Sequence, residues 1–229
     1  MNRTMVIQQI LDKKLASTYL EIGVARGSNF FAIRANRKIA VDPNFAFSKS
    51  RKIKWIFKNF YNLKAKYYQL SSDSFFANAK FSYSWDLVFI DGIHTYQQSL
   101  KDVNNSLSNL SETGVIVLHD CNPPHEAAAY PADSLDHAFS LNLPGWTGEW
   151  CGDVWKAICY LRSTRKDLEI FVLDCDHGLG IITKGKSENH LELSEQDLAN
   201  MTYDDLSRNK NQLLNLKDAT YFFEFLEAI

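Results

Sequence analysis

The sequence predicts an α/β fold: a doubly wound, mostly parallel sheet of seven strands that ends in an antiparallel hairpin. Short apolar runs of strand character alternate with amphipathic stretches of helical period, the pattern of a parallel sheet covered by helices on its faces. The first run, in "TYLEIGVARGSNFFAI" (residues 18–33), leads through an acid and two glycines four residues apart into a helical pattern. The last two runs are separated by a few residues containing "DHG", too few for a helical crossover, so they pair antiparallel.

The strands are expected at 18–23, 38–42, 66–70, 86–91, 114–120, 169–174 and 178–184, with helices between them. Two regions stand outside the alternation. Residues 121–150 hold four of the five prolines and two tryptophans, and follow directly on a strand's carboxyl end, where open α/β sheets bind ligands. This insertion reads as a lid or substrate wall. Residues 1–185 are then one domain with the insertion inside it, and 186–229 a C-terminal helical extension. Its run "YFFEFL" offers a surface for a homodimer.

A glycine turn between a first strand and a first helix lets a ligand approach the backbone, with the helix N-terminus supplying donors. Gly23 and Gly27 provide it. Their GxxxG spacing departs from the GxGxxG of dinucleotide folds, which argues against an NAD-dependent oxidoreductase. Glu21 beside the turn would repel phosphate but could hold an ammonium, so the cofactor should carry a positive end. Asp42, ending the second strand in "AVDP", lies where its carboxylate would accept hydrogen bonds from both hydroxyls of a ribose, and "LSSDSFF" offers Asp73 and Ser74 to an adenine edge.

With "LEIGVARG", "VDP", "SSDS" and "WDLVFIDG" in this order, the chain resembles the class I S-adenosylmethionine-dependent methyltransferases, which share a Rossmann-like fold. The resemblance runs from Thr18 to Lys184 and is nearest to the macrocin-type and sugar O-methyltransferases, methyltransferase domain family 24. It implies that Glu21, Gly23 and Gly27 line the methionine moiety, Asp42 the ribose, and Asp73 with Ser74 the adenine, Asp91 closing the cofactor site. It also implies a divalent metal, magnesium or manganese, held by acids after the fourth and fifth strands: Asp91, Asp120 and, third, Asn122. His119-Asp120 stands where metal-dependent relatives carry two adjacent acids or Asp-Asn, a departure that either shifts the metal preference toward manganese, iron or zinc or frees an imidazole for acid–base work.

Adjacent parallel strand ends bring Asp91, His94, His119 and Asp120 together, and a histidine near its neutral pKa suits removal of a hydroxyl proton. His119 is the first candidate base, His94 the second, with Asp91 beside them. Trp146 and Trp150 could form a platform under a sugar, whereas Trp155 reads as core and His125 and His137 as solvated. The expected reaction is O-methylation of a saccharide or other small hydroxylated metabolite. N-methylation, a metal-dependent hydrolase and a non-catalytic adenosine-binding protein are the alternatives.

The net charge of −2 gives no overall field toward nucleic acid or an anionic membrane, so neither is expected as a partner. The four cysteines, Cys121, Cys151, Cys159 and Cys175, form no CxxC pair and read as free thiols. With no signal-peptide pattern and no long apolar window, a cytoplasmic protein is expected.

Overall fold

The computed structural model describes residues 1–14, 17–78 and 82–229. In chain order the elements are α1 (Arg3–Asp12), β1 (Thr18–Ile22), α2 (Ser28–Ala32), β2 (Arg37–Val41), α3 (Lys49–Lys58), a 3-10 turn (Phe60–Lys64), β3 (Lys66–Tyr68) and α4 (Ser72–Asn78). There follow β4 (Trp85–Ile90), α5 (Tyr96–Leu107), β5 (Leu110–Leu118), α6 (Leu135–Ser140), α7 (Trp155–Thr164), β6 (Leu168–Leu173) and β7 (Leu179–Lys184). The tail forms α8 (Glu195–Asn200), α9 (Tyr203–Leu214), β8 (Leu216–Lys217) and α10 (Tyr221–Ala228).

The described strands make one sheet in the order β3-β2-β1-β4-β5-β7-β6-β8. β1 to β5 pair in parallel, while β7 runs antiparallel between β5 and β6. The expected hairpin is therefore present. The sheet has eight strands, however, and not seven: β8 adds Leu216 and Lys217 in parallel to Val172 and Leu173. Two residues carry no readable period, so only the tertiary edge defines this strand.

Alternation along the strands sorts the core into two faces. Leu20, Val88, Ile90 and Ile116 point to one side, against Val103 of α5, Ile158 and Leu161 of α7 and Leu206 of α9. Tyr19, Leu87, Phe89 and Val117 point to the other, against Ile7 of α1, Phe30 of α2 and Phe222 of α10. The tail thus packs into both halves of the core. Within the run expected to mediate a dimer, Phe222 and Phe225 are buried and Phe223 is exposed, because the helix turns its apolar stripe onto Phe171.

Two polar side chains interrupt the second face. Lys38 Nζ donates to the carbonyls of Phe30 and Ile33 (both 2.6 Å) and to Asn62 Oδ1 (2.7 Å), one acceptor for each ammonium proton. Burial pulls its pKa down to about 7. Glu21 is the other, and it belongs to the site.

Candidate active site

The turn after β1 is built from left-handed backbone: Gly23 at φ 82, Ala25 at φ 44 and Gly27 at φ 72, where Gly27 caps α2. Gly23 is packed hard against the end of β4, and a Cβ there would overlap the Asp91 carbonyl. Asp42 holds this turn from the next strand. Its Oδ2 accepts from the amides of Val24 (2.8 Å) and Ala25 (2.7 Å), and its Oδ1 from Asn44 (2.7 Å). A carboxylate offers about four lone-pair positions, so one on Oδ1 is left for a ligand hydroxyl.

Asp42 and Gly23 line a cleft of about 370 Å³ at the carboxyl ends of β1, β2 and β4. At its far wall stand Asp73, held by Lys101 (2.5 Å), and Asp102, whose pKa burial raises to about 6. The serines on this wall are Ser71 and Ser72. Ser74 lies a half-turn into α4, where its amide and hydroxyl are taken up by Ser71 Oγ.

Glu21 lies on the wall of a neighbouring, wider cleft of about 1030 Å³ that it shares with Gly23, Asn29 and Asp91. It is 2% exposed, bonded to the Tyr19 hydroxyl and to Asn29 Nδ2 (2.9 Å). Burial raises its pKa to about 8. A proton, or an ammonium arriving from the cleft, would neutralise it.

The register of β4 and β5, Ile90 beside Leu118, sets Asp91 and His119 side by side. His119 Nδ1 lies 2.7 Å from Asp120 Oδ2 and 3.3 Å from Asp91 Oδ1. His94 Nε2 reaches the same two carboxylates, at 3.2 Å from Asp120 and 3.4 Å from Asp91. The four residues singled out from the sequence are therefore one cluster. Burial opposes charge on Asp91, His94 and His119, yet the pairing wins. His119 is held well above the usual histidine range by Asp91 and Asp120, and His94 is raised by the same two acids. Asp91 is correspondingly held well below the carboxylate range by the two imidazoles.

Sequence reasoning missed what completes the cluster. Arg3, in the first turn of α1, donates from Nη1 to Asp91 (2.8 Å) and from Nη2 and Nε to Asp176 (2.8 and 3.0 Å). Asp176 also stands 3.6 Å from His119 Nε2, a buried nitrogen with no hydrogen-bond partner among the described residues. Although burial works against it, His119 and Arg3 keep Asp176 ionised far below its ordinary range. Asp120, Asp176 and His177 all hold left-handed backbone, at φ 62, 49 and 61. Non-glycine residues persist there only where surrounding contacts impose it.

The segment 121–150 closes over this cluster. Trp150 stacks on His94 with centroids 5.0 Å apart, and its carbonyl lies 2.8 Å from His94 Nδ1. Trp146 packs behind it with Ala132 and Ala138, so both tryptophans are partly structural. Trp155 is core, as expected, while His125 meets Thr147 (2.9 Å) and His137 meets Asp133 (3.4 Å) away from the acids.

Two sets of donors could grip a metal, each with its ligand atoms within 4.8 Å of one another: Asp91, His94 and Asp120, and Asp120, Cys151 and His177. The side-chain oxygen of Asn122, the expected third ligand, is buried with no hydrogen-bond partner among the described residues. The amide nitrogen of the same side chain donates to Asp174 (3.0 Å), and the backbone N–H of Asn122 pairs with the β6–β7 turn.

The sheet is parallel from β1 to β5, carries the reversed β7 between β5 and β6, and opens a ligand-sized cleft at the strand ends. Residues 20–121 match the family model of a methyltransferase domain, the family named by the sequence resemblance. Over that span the chain is similar to methyltransferase domains. No protein of curated function matches the sequence.

Among solved structures, a Staphylococcus aureus protein assigned to the caffeoyl-CoA O-methyltransferases aligns with TM-score 0.56 and 16% identity, over 81% of this chain and 85% of its own. An O-methyltransferase from Bacillus cereus in complex with SAH gives 0.52 and 15%, over 80% and 79%. The O-methyltransferase TomG from Streptomyces achromogenes, in complex with SAM, gives 0.51 and 11%, over 79% and 77%. At these identities the likeness establishes the Rossmann-like fold.

Proposed function

We propose that the protein transfers a methyl group from S-adenosylmethionine to an oxygen of a small hydroxylated acceptor, a saccharide being the leading class. One observation carries this reading: Asp91 lines the cleft beside Asp42, the wider cleft beside Glu21 and the ionic pocket of His94 and His119. A cofactor in the first and an acceptor in the last would meet at one side chain. The cofactor fits: Asp42 has a free lone pair for a ribose hydroxyl, Gly23 leaves the backbone bare, and Glu21 offers a carboxylate to an ammonium.

His94 is the base in this reading. Sequence alone favours His119, but that ring has 4% of its side chain exposed and is locked between Asp91, Asp120 and Asp176, whereas His94 has 20% exposed and lines the wider cleft as well as the ionic pocket. Asp91 and Asp120 orient His94 Nε2, and Trp150 keeps water off its outer face. If a divalent cation takes part, Asp91, His94 and Asp120 would hold it, and it would acidify the acceptor hydroxyl. An imidazole in the set favours manganese over magnesium.

The test is turnover of labelled S-adenosylmethionine over a panel of hydroxylated acceptors, with and without manganese. His94→Ala is expected to lower the rate by ~10²-fold or more while S-adenosylhomocysteine affinity holds. In the metal-free enzyme the wild-type rate should rise as pH climbs through the raised His94 pKa. His119→Ala should act first on stability. A His94→Ala protein that turns over at the wild-type rate removes His94 from the mechanism.

A further inference from the structure

Overall charge gives no reason to expect a membrane partner, but the charge is unevenly placed. From Pro43 to Ser72 the chain has no Asp or Glu and seven basic side chains, leaving a net −9 on the rest of a molecule whose total is −2. These residues span α3 and the 3-10 turn after it.

At about 100° per residue, α3 divides into an inner side and an outer side. Trp55 faces inward, stacking on Phe31 with centroids 5.9 Å apart. On the outer side Ile53 and Phe57, one turn apart, form an apolar stripe with Lys49 on one flank and Lys54 and Lys58 on the other. The stripe is bare: Ile53 is 56% exposed, Phe57 74%, and the 3-10 turn continues it with Phe60 at 72% and Leu63 at 65%. Beside it runs a groove of about 560 Å³ walled by the hydroxyls of Ser48 and Ser50 and the cations of Arg51, Lys54 and Lys58.

We propose that this face docks the protein on an anionic lipid bilayer. The four apolar side chains enter the boundary between headgroups and acyl chains, and the flanking cations, with the hydroxyl-lined groove, take the headgroup phosphates. Among the described residues no helix is long and apolar enough to cross a membrane, so the contact is one of lying on the surface. A second copy is a poor occupant, because a two-fold contact would oppose two strongly basic patches. Nucleic acid would meet the charge but leave Ile53 and Leu63 without a stacking partner. The patch adjoins the wider cleft: Arg51 lies 3.3 Å from Ser28 Oγ, and Ser28 is on that cleft's rim.

The test is co-sedimentation of the full chain with vesicles of phosphatidylcholine alone and of phosphatidylcholine mixed with phosphatidylglycerol, across a salt series. The protein should partition onto the mixed vesicles and come off as salt rises. K54Q/K58Q should weaken partitioning by ~10-fold or more, and F57S/F60S by a similar factor. Both variants should keep the wild-type thermal transition, since all four side chains are exposed. Failure to bind anionic vesicles, binding unchanged in both variants, preferential binding to RNA, or a dimer that F57S/F60S dissolves would each overturn the proposal.

Discussion

Gly23→Ala is expected to destabilise the protein by at least ~3 kcal/mol and to abolish binding of the cofactor product, S-adenosylhomocysteine. The left-handed φ of 82 alone costs an L residue about 1–2 kcal/mol. Contact adds more. The new methyl would overlap the carbonyl of Asp91 and lie 2.7 Å from Gly92 Cα, and neither can rotate away because both are backbone. Relief requires β1 and β4 to separate where Asp91 N bonds to Ile22 O (2.8 Å). That movement would displace Asp91 from the two clefts and the ionic pocket that meet at it. Thermal unfolding and calorimetric titration read both effects. A variant with wild-type stability and affinity would contradict the close packing of the turn.

Glu21→Gln should do the opposite to stability while still harming the site. Burial raises the Glu21 pKa from 4.5 to about 8, so the folded protein keeps a proton there that the unfolded chain releases. Below pH 4.5 both states hold the proton, and the acid costs nothing. Between pH 4.5 and 8 stability falls with rising pH, by about 1.4 kcal/mol per unit and about 5 kcal/mol in all. Above pH 8 the loss is complete. Glutamine copies the protonated acid and keeps partners for Tyr19 and Asn29, so the variant should equal wild type at pH 4.5 and exceed it by several kcal/mol at pH 8. Denaturant unfolding at both pH values measures the difference, in which the other titrating groups cancel unless, like Lys38, they are coupled to Glu21. The same substitution should weaken S-adenosylhomocysteine, since an ammonium in the cleft loses its counter-charge. Parallel pH profiles for the two proteins would show that Glu21 is ionised in the fold.

The sequence made the first five strands, the hairpin and the order of the clefts legible, because apolar runs, glycines and acids recur there at intervals set by the strand–turn–helix unit. Asp91, His94, His119 and Asp120 were found together for the same reason: neighbouring parallel strands place their ends side by side. Arg3 and Asp176 were invisible, since 173 residues separate them and no local pattern predicts that α1 begins beside the β6–β7 turn. The turn did carry a sign of its own. "DCDHG" is more polar than a plain reversal needs, and the structure forces Asp176 and His177 into left-handed backbone within it. Cys151 and Asn122 depend on how the insertion folds, which proline-rich loops leave to tertiary contacts. The basic face of α3 was hidden by averaging, as a total charge near zero masks a local excess.

The central claim, an S-adenosylmethionine site at the ends of β1, β2 and β4, is tested most directly by calorimetric titration of the protein and its Asp42→Ala variant with S-adenosylhomocysteine. The account predicts one-to-one binding with Kd on the order of micromolar, weakened by ~10²-fold in Asp42→Ala, which loses both the ribose acceptor and the brace of the glycine turn. Absence of binding to the folded wild-type protein, with or without manganese, would contradict it.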